Sequence, residues 1–235
     1  MKTLAGNAAG GMPATENAAR IVLFDFDGVL MRGDAFSRFV RSRFRRSWWR
    51  SLLALIVLPV LLPFYAMRSL RMPIIGVFVR ISLLGTSQAR FEALTRDFAL
   101  ELVGKPRIFI REGISAMRRH ILAGDRVIIV TGCEETLVRA IFDSIGLPDL
   151  EIVASRLRGG RLGMRKLVHN FGKAKPAQIS LRGISEPWDL AYSDSAHDIP
   201  MLKRATEAVL VNADTRTSLR VRHALGREPR TVSWS

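Results

Sequence analysis

The 235-residue chain has a single cysteine, Cys133, so no intrachain disulfide can form and a reducing compartment fits. Acidic residues are scarce: 21 Asp and Glu stand against 36 Lys and Arg, a net charge of +15. That imbalance excludes an evenly charged soluble surface. It asks for an anionic counterpart, which nucleic acid, anionic lipid or an acidic substrate could supply. Residues 1–19 are rich in Ala, Gly, Thr and Asn and hold no apolar run. Without such a run there is no signal-peptide core, so a flexible tail is expected there, with the rest of the chain in the cytoplasm or on its membrane surface. Internal repeats and low-complexity linkers are absent. So are nucleic-acid motifs, and outside Trp48-Trp49 the aromatics do not interleave with the basic residues, so no nucleic-acid partner is expected.

What is present is a chain 48% apolar, which excludes disorder. Its length suits one α/β domain with an insertion, or two small domains. Ile21-Val22-Leu23-Phe24 is a continuous apolar run ending at Asp25, the pattern of a strand buried on both faces. Similar runs are Arg126–Val130 ending at Thr131, Trp188–Tyr192 ending at Ser193-Asp194, and Glu207–Val211. Helical patterns near 112–123, 134–145 and 198–205 lie between them. This alternation predicts a doubly wound parallel sheet, in which ligands bind beyond the carboxyl ends of the strands. Asp25, Thr131 and Asp194 fall at that edge.

Residues 33–105 break the alternation. Arg38, Arg41, Arg43, Arg45, Arg46 and Arg50, with Trp48 and Trp49, precede the uncharged segment Leu52–Met67, and Arg68 and Arg71 follow it. Leu52–Met67 is shorter than the roughly 20 residues that cross a bilayer and contains Pro59 and Pro63. Met72–Leu84 is a second apolar stretch, interrupted by Arg80. A re-entrant or surface-lying hairpin is expected, with a hairpin buried inside the insertion as the alternative. An amphipathic helix near 88–103 carries Phe91, Leu94, Phe98 and Leu102 on one face.

Asp25-Phe26-Asp27-Gly28 sets two carboxylates two residues apart at a strand end. One can attack phosphorus. The other can protonate the leaving oxygen and later deprotonate water. Turn chemistry is the alternative for such a pattern. Asp194 and Asp198 offer hard oxygen ligands that suit Mg²⁺, although Asp198 also fits a helix N-terminal cap. Thr131 and Gly132 can give a hydroxyl and a backbone N–H to a phosphoryl oxygen, or form a plain loop. Lys175, just before Pro176, can neutralise a phosphoryl group, with Lys173 as its rival. Cys133 reads as a small passive residue beside that loop, and His169 and His197 as surface or cap residues rather than metal ligands.

In this order and at these strand ends, the pieces resemble the haloacid dehalogenase-like superfamily. Asp25-Phe26-Asp27-Gly28-Val29 looks like its first motif, Thr131 its second, Lys175 its third, and Asp194 with Asp198 its fourth. The resemblance covers nearly all of residues 20–235 and departs at Val29, where Thr is commoner. It implies a catalytic core of residues 20–32 and 106–235 and a helical cap of residues 33–105. It also implies Asp25 as nucleophile and metal ligand, and Asp27 as general acid/base with its carbonyl on the metal. Thr131, Gly132 and Lys175 would hold the phosphoryl group. Asp194 would bind Mg²⁺, supported by Asp198 directly or through water. An Asp at position 27 implies a phosphatase or mutase, because dehalogenases lack an acid there and the ATPases carry Thr.

Asn170-Phe171-Gly172-Lys173-Ala174-Lys175 resembles the Cys-x-Gly-x-x-Lys pattern of the phosphoserine-phosphatase-like branch, with Asn170 in place of the cysteine, and so selects Lys175 over Lys173. Asp34-Ala35-Phe36, the basic helix, Leu58-Pro59-Val60-Leu61-Leu62-Pro63, Ser87-Gln88-Ala89-Arg90 and Tyr192-Ser193-Asp194-Ser195 resemble the C-type phosphatidylglycerophosphatases. That likeness implies dephosphorylation of phosphatidylglycerophosphate to phosphatidylglycerol. The substrate would be a phospholipid phosphate, the partner an anionic membrane surface, and the place the cytoplasmic face of the cell membrane. Two other expectations remain: a phosphatase of a small soluble metabolite such as phosphoserine, and a non-catalytic basic membrane-binding module.

Overall fold

The computed structural model describes residues 19–67 and 69–235. Apart from Ala19, the tail expected over residues 1–19 lies outside them, as does Arg68. In chain order the described elements begin with β1 (Ile21–Phe24), followed by α1 (Ala35–Arg45), α2 (Trp48–Tyr65), α3 (Arg71–Ser82) and α4 (Gln88–Val103). Then come α5 (Arg111–Leu122), β2 (Arg126–Glu134), α6 (Glu135–Ser144), β3 (Glu151–Gly160), β4 (Gly163–Val168) and α7 (Ala174–Ser180). A 3₁₀ turn, Ala196–Asp198, follows β5 (Trp188–Ser193) and leads into α8 (Ile199–Leu202), β6 (Ala205–Val211), α9 (Thr215–Leu225) and β7 (Arg230–Val232).

The strands form one sheet in the order β4-β3-β2-β1-β5-β6-β7. All neighbours run parallel except β3 and β4, which form an antiparallel hairpin. This is the doubly wound α/β fold that the alternation predicts. β1 sits centrally because it is apolar at every position: Val22 and Phe24 enter the core on one face and Leu23 the core on the other. Burial of both faces suits the parallel arrangement. The chain goes from β1 to β2 and β3 on one side, then returns to β5 and β6 on the other. The crevice at that reversal opens beside the C-terminal ends of β1 and β5.

The helices α1–α4 are inserted between β1 and α5. The chain enters and leaves this insertion through a narrow antiparallel neck. The Arg32 N–H donates to the Ile108 carbonyl, and the Ile110 N–H to the Leu30 carbonyl, both at 2.9 Å. α1 and α4 meet through Phe39, which sits edge-on to Phe91 and Phe98. α2 and α3 pack on each other as a helical hairpin.

Several sequence expectations are revised. α2 runs unbroken for 18 residues through Pro59 and Pro63, so the hairpin is made of two helices and does not bend at either proline. Each proline withdraws one backbone donor, but the prolines lie four apart and share a face, so the loss is confined to one side. The buried-hairpin alternative does not fit: no residue of α2 is buried, and the 18-residue helix is long and apolar enough to cross a membrane by length and composition. The helix expected over 198–205 is shorter, because Ala205 already pairs with Trp188 in the sheet. β3, β4 and β7 add to the four expected strands.

Candidate active site

Asp25 follows β1 directly, and its N–H donates to the Tyr192 carbonyl of β5 at 3.0 Å. That bond sets the Asp25 loop against the β5 loop. Its carboxylate is buried, with Oδ1 accepting from the Phe26 N–H at 2.8 Å and lying 3.2 Å from Lys175 Nζ. Lys175 is almost wholly buried at the start of α7. Its ammonium also donates to Asp198 Oδ2 at 2.8 Å, and the Ser193 hydroxyl donates to that same oxygen at 2.8 Å. One lysine therefore bridges the first-strand aspartate and Asp198. Ser193 fixes the far side, a role the sequence did not reveal although the residue stands beside Asp194.

Asp27 lies on the turn after Asp25, and its Oδ1 accepts the Ala35 N–H at 2.9 Å. Ala35 is the first residue of α1, so the insertion is tied to this carboxyl. Gly28 turns the chain at φ +80°, where only glycine is comfortable. A Cβ there would lie 2.0 Å from Asp194 Oδ2. The Asp194 carboxylate is thus laid against bare backbone, in a cradle that any side chain would fill.

Thr131 is fully buried, and its Oγ1 accepts the Cys133 N–H at 3.0 Å. β2 runs on through Thr131 and Gly132, where the sequence suggested a loop, and Asn170 ties this stretch down: its Nδ2 donates to the Thr131 carbonyl at 3.0 Å and the Val153 carbonyl at 2.8 Å. Gly132 lies beside the Phe171 ring, which stacks with His169 and tilts against His197. Cys133 is buried, and burial with the nearby Asp27, Asp34 and Glu134 pushes its thiol up, so it stays a neutral packing group. Lys173, the rival to Lys175, is exposed.

The electrostatics reveal a charge deficit. Burial raises Asp25 well above its ordinary value. Lys175 opposes that shift, while Asp198 and Asp194 add to it. Burial pushes Asp27 up to about 7, opposed chiefly by the Ala35 N–H. Asp194 is raised by burial and by Asp198. Burial alone would lower Lys175, but Asp25 and Asp198 outweigh it and hold its ammonium above the usual value. Four carboxyl groups share one buried cation. Among the described residues no three His, Cys, Asp or Glu side chains group as a metal cage. A cation here would rest on the Asp25 and Asp194 carboxylates, a main-chain carbonyl and water. That all-oxygen set with few carboxylates is what Mg²⁺ takes, and the excess of negative charge fits it. A surface cleft of about 580 Å³, lined by Glu186, Lys203, Arg204 and Arg227 among others, contains none of these residues.

Known proteins resemble this chain in sequence and in fold. The chain is 30% identical over 193 residues to protein CicA of Caulobacter vibrioides, covering 80% of this chain and 83% of that protein. It is 32% identical over 139 residues to phosphoserine phosphatase SerB1 of Mycobacterium tuberculosis, covering 56% of this chain and 44% of that one. A solved structure from Bordetella pertussis Tohama I superposes with a TM-score of 0.68 at 20% identity, over 90% of this chain and 98% of that one, which places the fold. Residues 22–203, from β1 to the turn after α8, match the haloacid dehalogenase-like hydrolases, and the chain belongs to that family.

Proposed function

We propose that this hydrolase is a Mg²⁺-dependent phosphatase that acts through an aspartyl-phosphate intermediate and removes the terminal phosphate of a lipid, phosphatidylglycerophosphate. The observation that carries the chemistry is the pairing of Asp25 with a buried lysine, 3.2 Å away, beside a second carboxyl held at about 7. A carboxyl near 7 is half protonated at neutral pH, the condition for giving a proton and then taking one. An Asp25 oxygen attacks phosphorus while the ester P–O bond breaks. The departing oxygen takes its proton from Asp27. Water then attacks the same phosphorus, gives its proton to Asp27, and the Asp25–phosphorus bond breaks to release inorganic phosphate. Lys175 and the Thr131–Gly132 stretch hold the phosphoryl oxygens, and Asp198 with Ser193 fixes Lys175. The carboxylates of Asp25 and Asp194 and the main-chain carbonyl of Asp27 would hold the Mg²⁺, with Asp198 behind them. Bound there, the metal would neutralise charge on the phosphoryl oxygens.

The lipid half of the reading rests on the α2–α3 hairpin. Leu55, Ile56, Val60 and Leu62 are each about 60% exposed, which leaves a contiguous apolar surface uncovered. Such surface in a chain of net charge +15 suits the acidic cytoplasmic face of the cell membrane. Phosphate release from phosphatidylglycerophosphate, other lipid phosphomonoesters and phosphoserine, with and without Mg²⁺, tests both halves. The expected result is Mg²⁺-dependent turnover that favours the lipid. Turnover that favours phosphoserine would replace the lipid with a small soluble metabolite, and no turnover on any of them would overturn the phosphatase.

A further inference from the structure

A second concentration of charge lies in the insertion, where α1 ends and α2 and α4 begin. No Asp or Glu occurs between Asp34 and Glu92. Within that span, Arg43 stands in the last turn of α1, Ser47 caps α2, Arg50 is in the first turn of α2 and Arg90 is in the first turn of α4. The Arg50 Nη2 donates to the Leu84 carbonyl at 2.9 Å, which brings the start of α2 onto the segment that leads into α4. Arg43 lies close enough to Arg50, Arg90 and Arg46 that, after burial, their like charge is what lowers its guanidinium.

Three features of this cluster are unfavourable unless an anion is bound. First, Arg43 Nε, Arg50 Nε and Ser47 Oγ are buried polar atoms with no hydrogen-bond partner among the described residues. Second, Ser47 stands at the N-cap of α2, yet its side chain makes no capping bond. The first N–H groups of that helix have no intrahelical partner either. Third, Arg50 and Arg90 each occupy the third helical position, where a capping box would place Glu or Gln and where the helix dipole repels positive charge. Neither first turn holds an acid. Arg46 is the exception that finds an acidic partner, in Glu101. The guanidinium of Arg50 is also held in place, 4.3 Å from the centroid of the Trp49 ring. Local rules broken together at one place mark a site shaped for something else.

We infer that Arg43, Ser47, Arg50 and Arg90 form an anion-binding subsite, sharing no residue with the aspartate site, that takes the phosphodiester of an anionic lipid headgroup. Guanidinium forks match phosphate oxygens in pairs, and a free hydroxyl and helix N-terminal N–H groups complete the donor set. The apolar half of the ligand has a place to go. α2 leaves this cluster at Arg50, and at 1.5 Å per residue it reaches Leu58 after about 12 Å. There a cleft of about 200 Å³ between α2 and α3 is lined by Leu58, Leu61, Leu62, Ile74, Ile75 and Phe78, with Tyr65. A charged end and an apolar channel along one helix fit an amphiphile better than free phosphate. The identity of the anion as a lipid rests on the proposed lipid substrate. The anion site itself does not.

The test compares full-length wild type with two double variants of equal charge. Arg43→Gln/Arg50→Gln removes two guanidinium groups from the cluster, whereas Arg41→Gln/Arg45→Gln removes two from exposed positions of α1. Each is titrated, in Mg²⁺ buffer, with short-chain phosphatidylglycerol below its micelle concentration and separately with inorganic phosphate, followed by calorimetry. Hydrolysis of p-nitrophenyl phosphate reports the fold and the aspartate site. The expected result is at least tenfold weaker phosphatidylglycerol binding for Arg43→Gln/Arg50→Gln and less than a twofold change for Arg41→Gln/Arg45→Gln. A third variant, Arg43→Lys/Arg50→Lys, keeps the charge and is expected to recover only part of the affinity, because lysine lacks the fork. Equal losses in both Gln variants would mean diffuse attraction and would overturn the subsite, as would wild type that does not bind phosphatidylglycerol. If inorganic phosphate binds the cluster as tightly as the lipid, the lipid assignment is wrong. Failure of wild type to hydrolyse p-nitrophenyl phosphate would count against the phosphatase reading and leave the binding comparison to stand by itself.

Discussion

Gly28→Ala isolates the contact between the first-motif turn and Asp194. The new methyl carbon would sit 2.0 Å from Asp194 Oδ2 and 2.4 Å from its Cγ. Ordinary contact begins near 3.4 Å, so the carboxylate has to retreat by about 1.4 Å. A Mg²⁺–oxygen bond is about 2.0–2.1 Å long and tolerates little distortion. A retreat of that size takes Asp194 out of reach. Misplacement by about 1 Å costs on the order of 100-fold in rate. The expected result is at least a 100-fold loss of phosphate release, with half-saturation shifted to much higher Mg²⁺. Alanine at φ +80° also costs about 1–2 kcal/mol of backbone strain. That part can be measured apart from the clash. Gly124 has the same φ of +80°, but nothing lies within 4 Å of a Cβ placed there. Gly124→Ala therefore carries the strain alone, and should melt lower by a similar amount while keeping full activity. The assay is phosphate release against Mg²⁺ concentration, with circular-dichroism melts of both variants. Wild-type Mg²⁺ half-saturation and turnover in Gly28→Ala would refute the placement of Asp194 at the metal.

Asp25→Asn is expected to abolish turnover without lowering the melting temperature, since it removes one of several crowded buried carboxylates; a folded variant with normal turnover would take the nucleophile away from Asp25. Lys175→Met leaves Asp25 and Asp198 facing each other with no cation between them, and loss of one partner of a buried pair costs about 3–5 kcal/mol; urea unfolding near wild-type stability would contradict this. Asp194→Ala should weaken Mg²⁺ activation far more than Asp198→Ala, because Asp198 Oδ2 is already engaged by Lys175 and Ser193; equal defects in metal titrations would reverse that ranking. Burial pushes Glu134 up from 4.5 to about 7, so the folded state holds a proton there that the unfolded chain has released. That contribution is full below about pH 4.5 and lost as pH rises through about 7, up to roughly 3 kcal/mol at 1.36 per unit. Glu134→Gln keeps an acceptor for the Leu137 N–H and should flatten this decline in chemical-denaturation curves measured from pH 5 to 8.

The parts of the fold that the sequence discloses are those under a single physical demand. β1 and the Val127–Val130 stretch of β2 are buried on both faces, so their residues read as unbroken apolar runs, and the polar groups that close those runs mark the sheet edge. β3 and β4 answer two demands at once. The Ile152-Val153-Ala154 stretch is core, but Arg156–Gly160 turns out into an exposed hairpin with Arg165 and Lys166, and mixed burial erases the period. β7 is a three-residue edge strand, too short to show a pattern. Pro59 and Pro63 read locally as breaks, yet α2 continues because two prolines on one exposed face leave the other side of the helix bonded. At the candidate site the residue types and their order were visible. What was not visible is which oxygen faces which donor: that Asp198 turns to Lys175 and Ser193, or that the Ala35 N–H reaches Asp27, depends on tertiary placement. Asn170 was noticed only as a mismatch to a pattern; its amide joins the Thr131 and Val153 carbonyls of β2 and β3, 39 and 17 residues away.

The central position of β1 has a consequence for how the chain is made. Ile21, at its start, hydrogen-bonds Asp189, 168 residues further on, and both neighbours of the strand lie beyond residue 125. At 5–20 residues per second, about 10 to 30 seconds of synthesis separate the emergence of β1 from that of β5. During that interval α1, α2 and α3 have left the ribosome, while the sheet that would carry them has no middle. The apolar hairpin therefore meets its surroundings first, and whatever receives it does so before there is an active site to deliver.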